Sequence, residues 1–138
     1  MAIIRLWHYE LLPYLPDSQL IAQKRECDLI WKDIAAGKKT NHILINYIWS
    51  YDDYKKQLSL YYWLLKKEFD KRGFKFRICD DAYLLTEYNL GKQPFMHHHN
   101  DRYLLQCFYN LQEKYDRGQK DFSYGIYKNL LIFMEDLI

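Results

Sequence analysis

Apolar residues recur at helical spacing in three long stretches of the chain. In the first, Leu20, Cys27, Ile30, Trp31 and Ile34 fall on one face. That pattern predicts a helix opening at Asp17 or Ser18, both good N-caps, directly after Pro16. Gly37 followed by Lys38 and Lys39 marks its end. The second stretch runs from about Asp52 to Arg72, with Tyr54, Leu58, Tyr61, Leu65 and Phe69 on one side and Gly73 as the stop. The third runs from about Asp101 to Asp116, with Leu104, Cys107, Phe108, Leu111 and Tyr115 aligned and Gly118 beyond. Near the C-terminus, Tyr124 to Tyr127 reads as an aromatic turn, and Leu130, Leu131, Met134 and Leu137 suit a short terminal helix. Phe74 to Ile78 alternates like a strand but has no second strand to pair with, so Phe74 to Met96 reads as extended or loop. The expected fold is all-α: one compact domain over residues 1–138, with three main helices and a short fourth at the C-terminus.

Composition narrows the function classes more than it names one. At 138 residues the chain is long enough for one real core, and 49% hydrophobic content excludes a disordered polymer. Fourteen tyrosines and four tryptophans suit a core with wet edges or a surface that stacks on something flat. The net charge of +2 leans only weakly toward anionic partners, so any nucleic-acid face must come from local clustering. Three widely spaced cysteines, Cys27, Cys79 and Cys107, fit reduced thiols and a cytoplasmic protein; none has zinc spacing. No apolar run reaches the length of a membrane span, and the N-terminus lacks signal-peptide organisation.

The candidate chemistry lies on the first helix. At about 100° per residue, Gln19, Gln23, Glu26 and Ile30 fall along one side. Glu26 therefore sits on the flank of the buried stripe, where partial desolvation raises a carboxyl pKa and suits acid or base work. Lys24 and Arg25 add positive charge beside it. The run His97-His98-His99 invites a metal reading, but two histidines on one side make an incomplete site, and the run reads as a helix entry with Asn100 or Asp101 as N-cap. The lysines of the second helix read as solvated, whereas Lys38 and Lys39 at the end of the first have a better case as phosphate contacts, although the helix dipole alone also explains cations there. Of Tyr61, Tyr62 and Trp63, which point to different helix sides, one or two must be core.

Leu15, Asp17, Leu20, Ala22, Arg25 and Glu26, without a gap, resemble the first helix of the phage endonuclease V type of pyrimidine-dimer DNA glycosylase. Ala36 to Lys39 resembles the turn after that helix, Lys71 to Phe74 the end of the second, and Pro94 to His98 the entry to the third. In that family a free N-terminal α-amine attacks C1′ of the damaged nucleotide to give an imine, and β-elimination then cuts the strand. An α-amine with an ordinary pKa near 7.7–8.0 keeps a neutral fraction at pH 7 that a lysine does not. The resemblance makes Glu26 the carboxylate that stabilises the sugar cation and moves protons, and Arg25 a phosphate contact. Ala2, exposed once Met1 is removed, is the candidate nucleophile, although ungapped spacing puts Arg5 at the family's first position. Gln19 stands where the family has a histidine and Leu29 where it has an arginine; Arg5, Trp7 and His8 could compensate. Phe122, Tyr124 and Tyr127 resemble the family's aromatic tail.

The resulting expectation is a cofactor-free, metal-free, monomeric repair enzyme acting on damaged double-stranded DNA, a glycosylase with associated AP-lyase activity. Its catalytic residues would be Glu26 and Ala2, with Arg5, His8, Gln19, Lys24, Arg25, Lys38 and Lys39 toward DNA. The competing class is a non-enzymatic helical module that keeps the fold and binds DNA or protein.

Overall fold

The computed structural model describes residues 5–85 and 92–138; Ala2 lies outside them. Among the described residues, four α-helices carry the fold: α1 (Asp17–Ala35), α2 (Tyr54–Arg72), α3 (Asp101–Asp116) and α4 (Tyr124–Met134). One short 3-10 turn, Tyr9–Tyr14, precedes α1, and another, Asn46–Ser50, lies between α1 and α2. There is no strand among the described residues, and Phe74 to Ile78 is extended but unpaired. The fold is all-α, and no described helix is long and apolar enough to cross a membrane.

Helix ends follow local chemistry in most places. Gly73 stops α2 at φ 77°, a left-handed conformation that costs glycine nothing and lets Phe74 N–H reach back to the Phe69 carbonyl. Asn100 caps α3 by accepting from Tyr103 N–H, as the helix-entry reading of the histidine run requires. Two expectations change. The cap position of α1 is Pro16, whose carbonyl accepts from Gln19 and Leu20, while Asp17 is already helical. Asp17 is drawn to Arg72 at 2.9 Å, and the Ser18 N–H is satisfied instead by the Asp121 carboxylate at 2.8 Å. The aromatic turn expected at Tyr124–Tyr127 is the first turn of α4, because Ser123 caps it by accepting from Ile126 N–H.

The core is shared by all four helices. Leu20, Cys27, Ile30 and Trp31 of α1 meet Leu58, Tyr61, Tyr62, Leu65 and Phe69 of α2. Leu104, Cys107, Phe108 and Leu111 of α3 and Leu130 and Met134 of α4 complete it. Burying a side chain such as Leu65 or Phe108 contributes about 2 kcal/mol. Arg72 ties the end of α2 to the start of α1: it also reaches Glu68 at 3.1 Å and the Leu12 and Pro13 carbonyls at 3.3 Å.

The element that positions the site is not a helix. Residues 5–9 run as a single segment through the core, with Leu6, Trp7 and His8 all buried. Lacking a neighbouring strand, their backbone groups must find side-chain partners. Trp7 N–H donates to Gln23 Oε1 at 2.6 Å, and the Trp7 carbonyl accepts from the Tyr61 hydroxyl at 2.7 Å. The Leu6 carbonyl accepts from the Tyr103 hydroxyl, the His8 carbonyl accepts from Leu11 N–H at 2.9 Å, and Tyr9 N–H donates to His99 Nδ1 at 3.1 Å. Partners from α1, α2, α3 and the segment before α3 thus fix each residue in turn.

Candidate active site

Glu26 projects from α1 into a cleft of about 240 Å³ whose lining includes Arg5, Gln19, Gln23, Asn110 and Lys114. The carboxylate is half-buried, as its position on the flank of the helix stripe requires. Burial pushes its pKa up, opposed by hydrogen bonds from the Arg5 backbone and the Gln23 amide and by the Arg25 charge. A carboxyl so placed holds a proton to higher pH than a free glutamate and can both give and take one.

Gln23, one turn before Glu26 and fully buried, organises this corner. Its Nε2 donates to Glu26 Oε2 at 2.9 Å and to the Arg5 carbonyl at 2.7 Å. Its Oε1 accepts from Trp7 N–H, and the Tyr61 hydroxyl lies 2.8 Å away. Both amide hydrogens and the carbonyl oxygen are thus engaged, with the single Tyr61 proton shared between Gln23 Oε1 and the Trp7 carbonyl. The same side chain that orients the carboxylate therefore anchors the chain at residues 5 and 7.

The cleft rim is cationic. Arg5 lies over the Trp7 and Tyr103 rings, 5.7 Å and 5.9 Å from their centroids, with Nη1 3.9 Å from Cys107 Sγ. Lys114 comes from α3, one turn after Asn110. Among the described residues, no ion pair neutralises Arg5, Arg25 or Lys114.

Of the residues singled out from the sequence, Arg5, Gln19 and Glu26 come together in the cleft, and Arg25 is exposed beside it. Lys24 points elsewhere: it pairs with Asp28 at 2.6 Å and lies 5.0 Å from the Phe76 centroid, on a face it shares with Arg77 and Asp80. His8, expected beside Arg5, is buried with its ring stacked on Tyr9 and His99, so no phosphate can reach it. Enclosure by helices on both sides of residues 5–9 draws it inward. Lys38 and Lys39 are exposed in the loop after α1. Of the tail aromatics, Phe122 is buried, Tyr127 stacks on Tyr115 at 4.1 Å, and Tyr124 is exposed. Tyr61 and Tyr62 are core, and Trp63 is half-buried away from the cleft.

His98 and His99 bond side chains and backbone of neighbouring segments. His99 is buried, accepting at Nδ1 from Tyr9 and therefore donating from Nε2 to the Tyr47 hydroxyl at 2.7 Å. His98 Nδ1 meets the Tyr51 hydroxyl at 2.7 Å. Among the described residues, no three His, Cys, Asp or Glu side chains gather as a metal site.

Sequence reasoning missed Gln23, Asn110 and Lys114 as site residues. Gln23 had a visible signal, since it shares a helix side with Glu26. Asn110 and Lys114 had none, because only the packing of α3 brings them opposite α1.

A half-buried carboxylate in a cation-rimmed cleft, against a segment pinned at residue 5, can exchange a proton and can lie beside an anionic ligand. The chain belongs to the pyrimidine dimer DNA glycosylase family, whose model matches residues 4–81, from the pinned segment through α1 and α2. No curated protein or solved structure matches the chain.

Proposed function

We propose that this protein excises damaged pyrimidines from double-stranded DNA and then cuts the strand at the resulting site. The observation that carries the reading is the double attachment of Gln23, which ties Glu26 and the Arg5 backbone into one unit. Ala2 lies three positions before Arg5, a reach of about 10 Å at most when extended. An α-amine at Ala2, freed by removal of Met1, would thus be tethered close to the carboxylate.

In this mechanism the neutral amine bonds to C1′ as the N-glycosidic bond breaks, and the departing base takes up a proton. Loss of a proton from nitrogen and cleavage of the C1′–O4′ bond, with O4′ taking up a proton, leave a protonated imine on the opened sugar. Removal of a C2′ proton then expels the 3′-phosphate oxygen by β-elimination. Glu26 supports the positive charge developing at C1′ and relays these protons, a role helped by its raised pKa. Arg5, Arg25 and Lys114 contact phosphates and hold the sugar over the carboxylate. Lesions already weakened in stacking cost less to deform, which favours damaged over intact duplex.

Borohydride added during reaction with duplex carrying a thymine dimer or an abasic site should trap a covalent adduct on the Ala2 nitrogen. Absence of an adduct on both substrates removes the amine step. Glu26→Gln should abolish excision while DNA binding persists; unchanged excision removes Glu26 from the mechanism.

A further inference from the structure

The loop after α1 presents Ile43 to solvent, 82% exposed, more than any other large apolar side chain among the described residues. A lone exposed isoleucine is ordinary on a protein surface. This one is held in a built turn. Leu44 N–H donates to His42 Nδ1 at 3.2 Å, and the His42 carbonyl accepts from Ile45 and Asn46 at 3.0 and 2.8 Å. Ile45 is buried in the core, so the turn cannot roll over to hide Ile43. The other arm is braced as well: Thr40 Oγ1 donates to Asp33 at 2.6 Å, and the Thr40 carbonyl accepts from Trp49 Nε1 at 3.0 Å.

The tip stands directly beside the site, since the next residue, Leu44, lines the Glu26 cleft. Lys38 and Lys39 sit at the foot of the same loop. A rigid apolar tip with cations at its base, next to a cleft sized for one nucleotide's sugar, has the chemistry of a side chain that enters a base stack while lysines grip the flanking phosphates. From this geometry we infer that Ile43 is a wedge, inserted into the duplex beside the nucleotide held at Glu26. It fills the gap left when that nucleotide swings toward the cleft and keeps the stack from closing again. The inference rests on the DNA-directed reading above, and it adds a device for opening the duplex that the carboxylate does not supply.

The test uses the full chain with Ile43→Ala and Ile43→Trp, and a duplex holding one abasic-site analogue next to 2-aminopurine. Wild type should bind and raise the 2-aminopurine emission by unstacking it. Ile43→Ala should bind this duplex about tenfold or more weakly and lose most of the rise, yet bind a single strand carrying the same site as wild type does. The indole added by Ile43→Trp should be quenched by the duplex and not by the single strand. Equal duplex binding and equal emission for Ile43→Ala and wild type overturn the wedge, even if dimers are excised normally. Unstacking by wild type that Ile43→Ala loses, without any excision, overturns the glycosylase reading and leaves the wedge standing. No duplex binding by wild type overturns both.

Discussion

The amide nitrogen of Gln23 lies 2.9 Å from Oε2 of Glu26 and donates to it. Because the other amide hydrogen goes to the Arg5 carbonyl, any shift of Gln23 moves the carboxylate and the chain segment together. The structural and chemical roles of this corner are therefore coupled, and substitutions there should show both.

Gln23→Leu leaves the Arg5 carbonyl and the buried Trp7 N–H without partners. Each stranded backbone group costs about 1–3 kcal/mol, so urea denaturation should show a loss of about 3 kcal/mol or more. Excision should fall further than the unfolded fraction explains. A variant as stable as wild type would show that the Gln23 hydrogen bonds are not what holds residues 5–7.

Glu26→Gln should leave the fold as stable as before at neutral pH, or more so. Burial raises the Glu26 pKa, so the folded state holds the proton more tightly than the unfolded chain. Its favourable contribution is complete below the ordinary glutamate value and is lost as pH rises through the folded value. At pH 7 the ionised carboxylate is a burden that glutamine lacks. Thermal melts at pH 7 and pH 4 should show the variant's relative advantage shrinking in acid; an advantage that grows in acid would reverse the sign.

Lys114→Ala should weaken binding to lesion duplex and make the plot of log affinity against log salt shallower by about one unit, the signature of one lost phosphate contact. Lys24→Ala should leave that slope unchanged, since Lys24 is paired with Asp28 on another face. Equal effects of the two substitutions would place the DNA across the wrong side of α1.

The buried histidines His8 and His99 make the fold acid-sensitive. Burial lowers the His8 pKa to about 4, against the His99 backbone and Asp101, which raise it. Burial, with the charges of His8 and His98, lowers His99 well below its ordinary value. The unfolded chain then binds protons that the folded one refuses, so this stability is full above about pH 6.5 and is lost as pH falls through the folded values. The slope should be about 1.4 kcal/mol per pH unit for each histidine. His99→Gln, which can keep the Tyr9 and Tyr47 contacts, should flatten it; an unchanged slope would remove His99 from the acid response.

The helices were legible where punctuation is local. Gly73 and Asn100 mark their ends through backbone conformation and a side-chain cap three residues long, which neighbouring sequence contains. The start of α1 was displaced because Arg72 and Asp121, remote in sequence, compete for Asp17 and Ser18. The 3-10 turn Tyr9–Tyr14 was hidden because one short turn containing Pro13 has no periodicity to read. In the site, the angle of Glu26 on α1 gave its half-burial, but the inward turn of His8 depends on helices closing over both sides of a segment that looks like a free N-terminus. Lys114 could be found only by packing α3 against α1.

The hydrogen bonds along residues 5–9 also set a length standard. The bonds come from an irregular set of side chains, Gln23, Tyr61, Tyr103 and His99, so this stretch has no repeating ladder along which it could slide by one step. Deleting or inserting a single residue between Arg5 and Tyr9 would offer the wrong carbonyl to Gln23 and turn Trp7 toward the wrong partner. Point substitutions here trade one contact at a time, whereas a one-codon change in length would disarrange them all. The spacing between Arg5 and Tyr9 should be the part of this chain least tolerant of insertions and deletions.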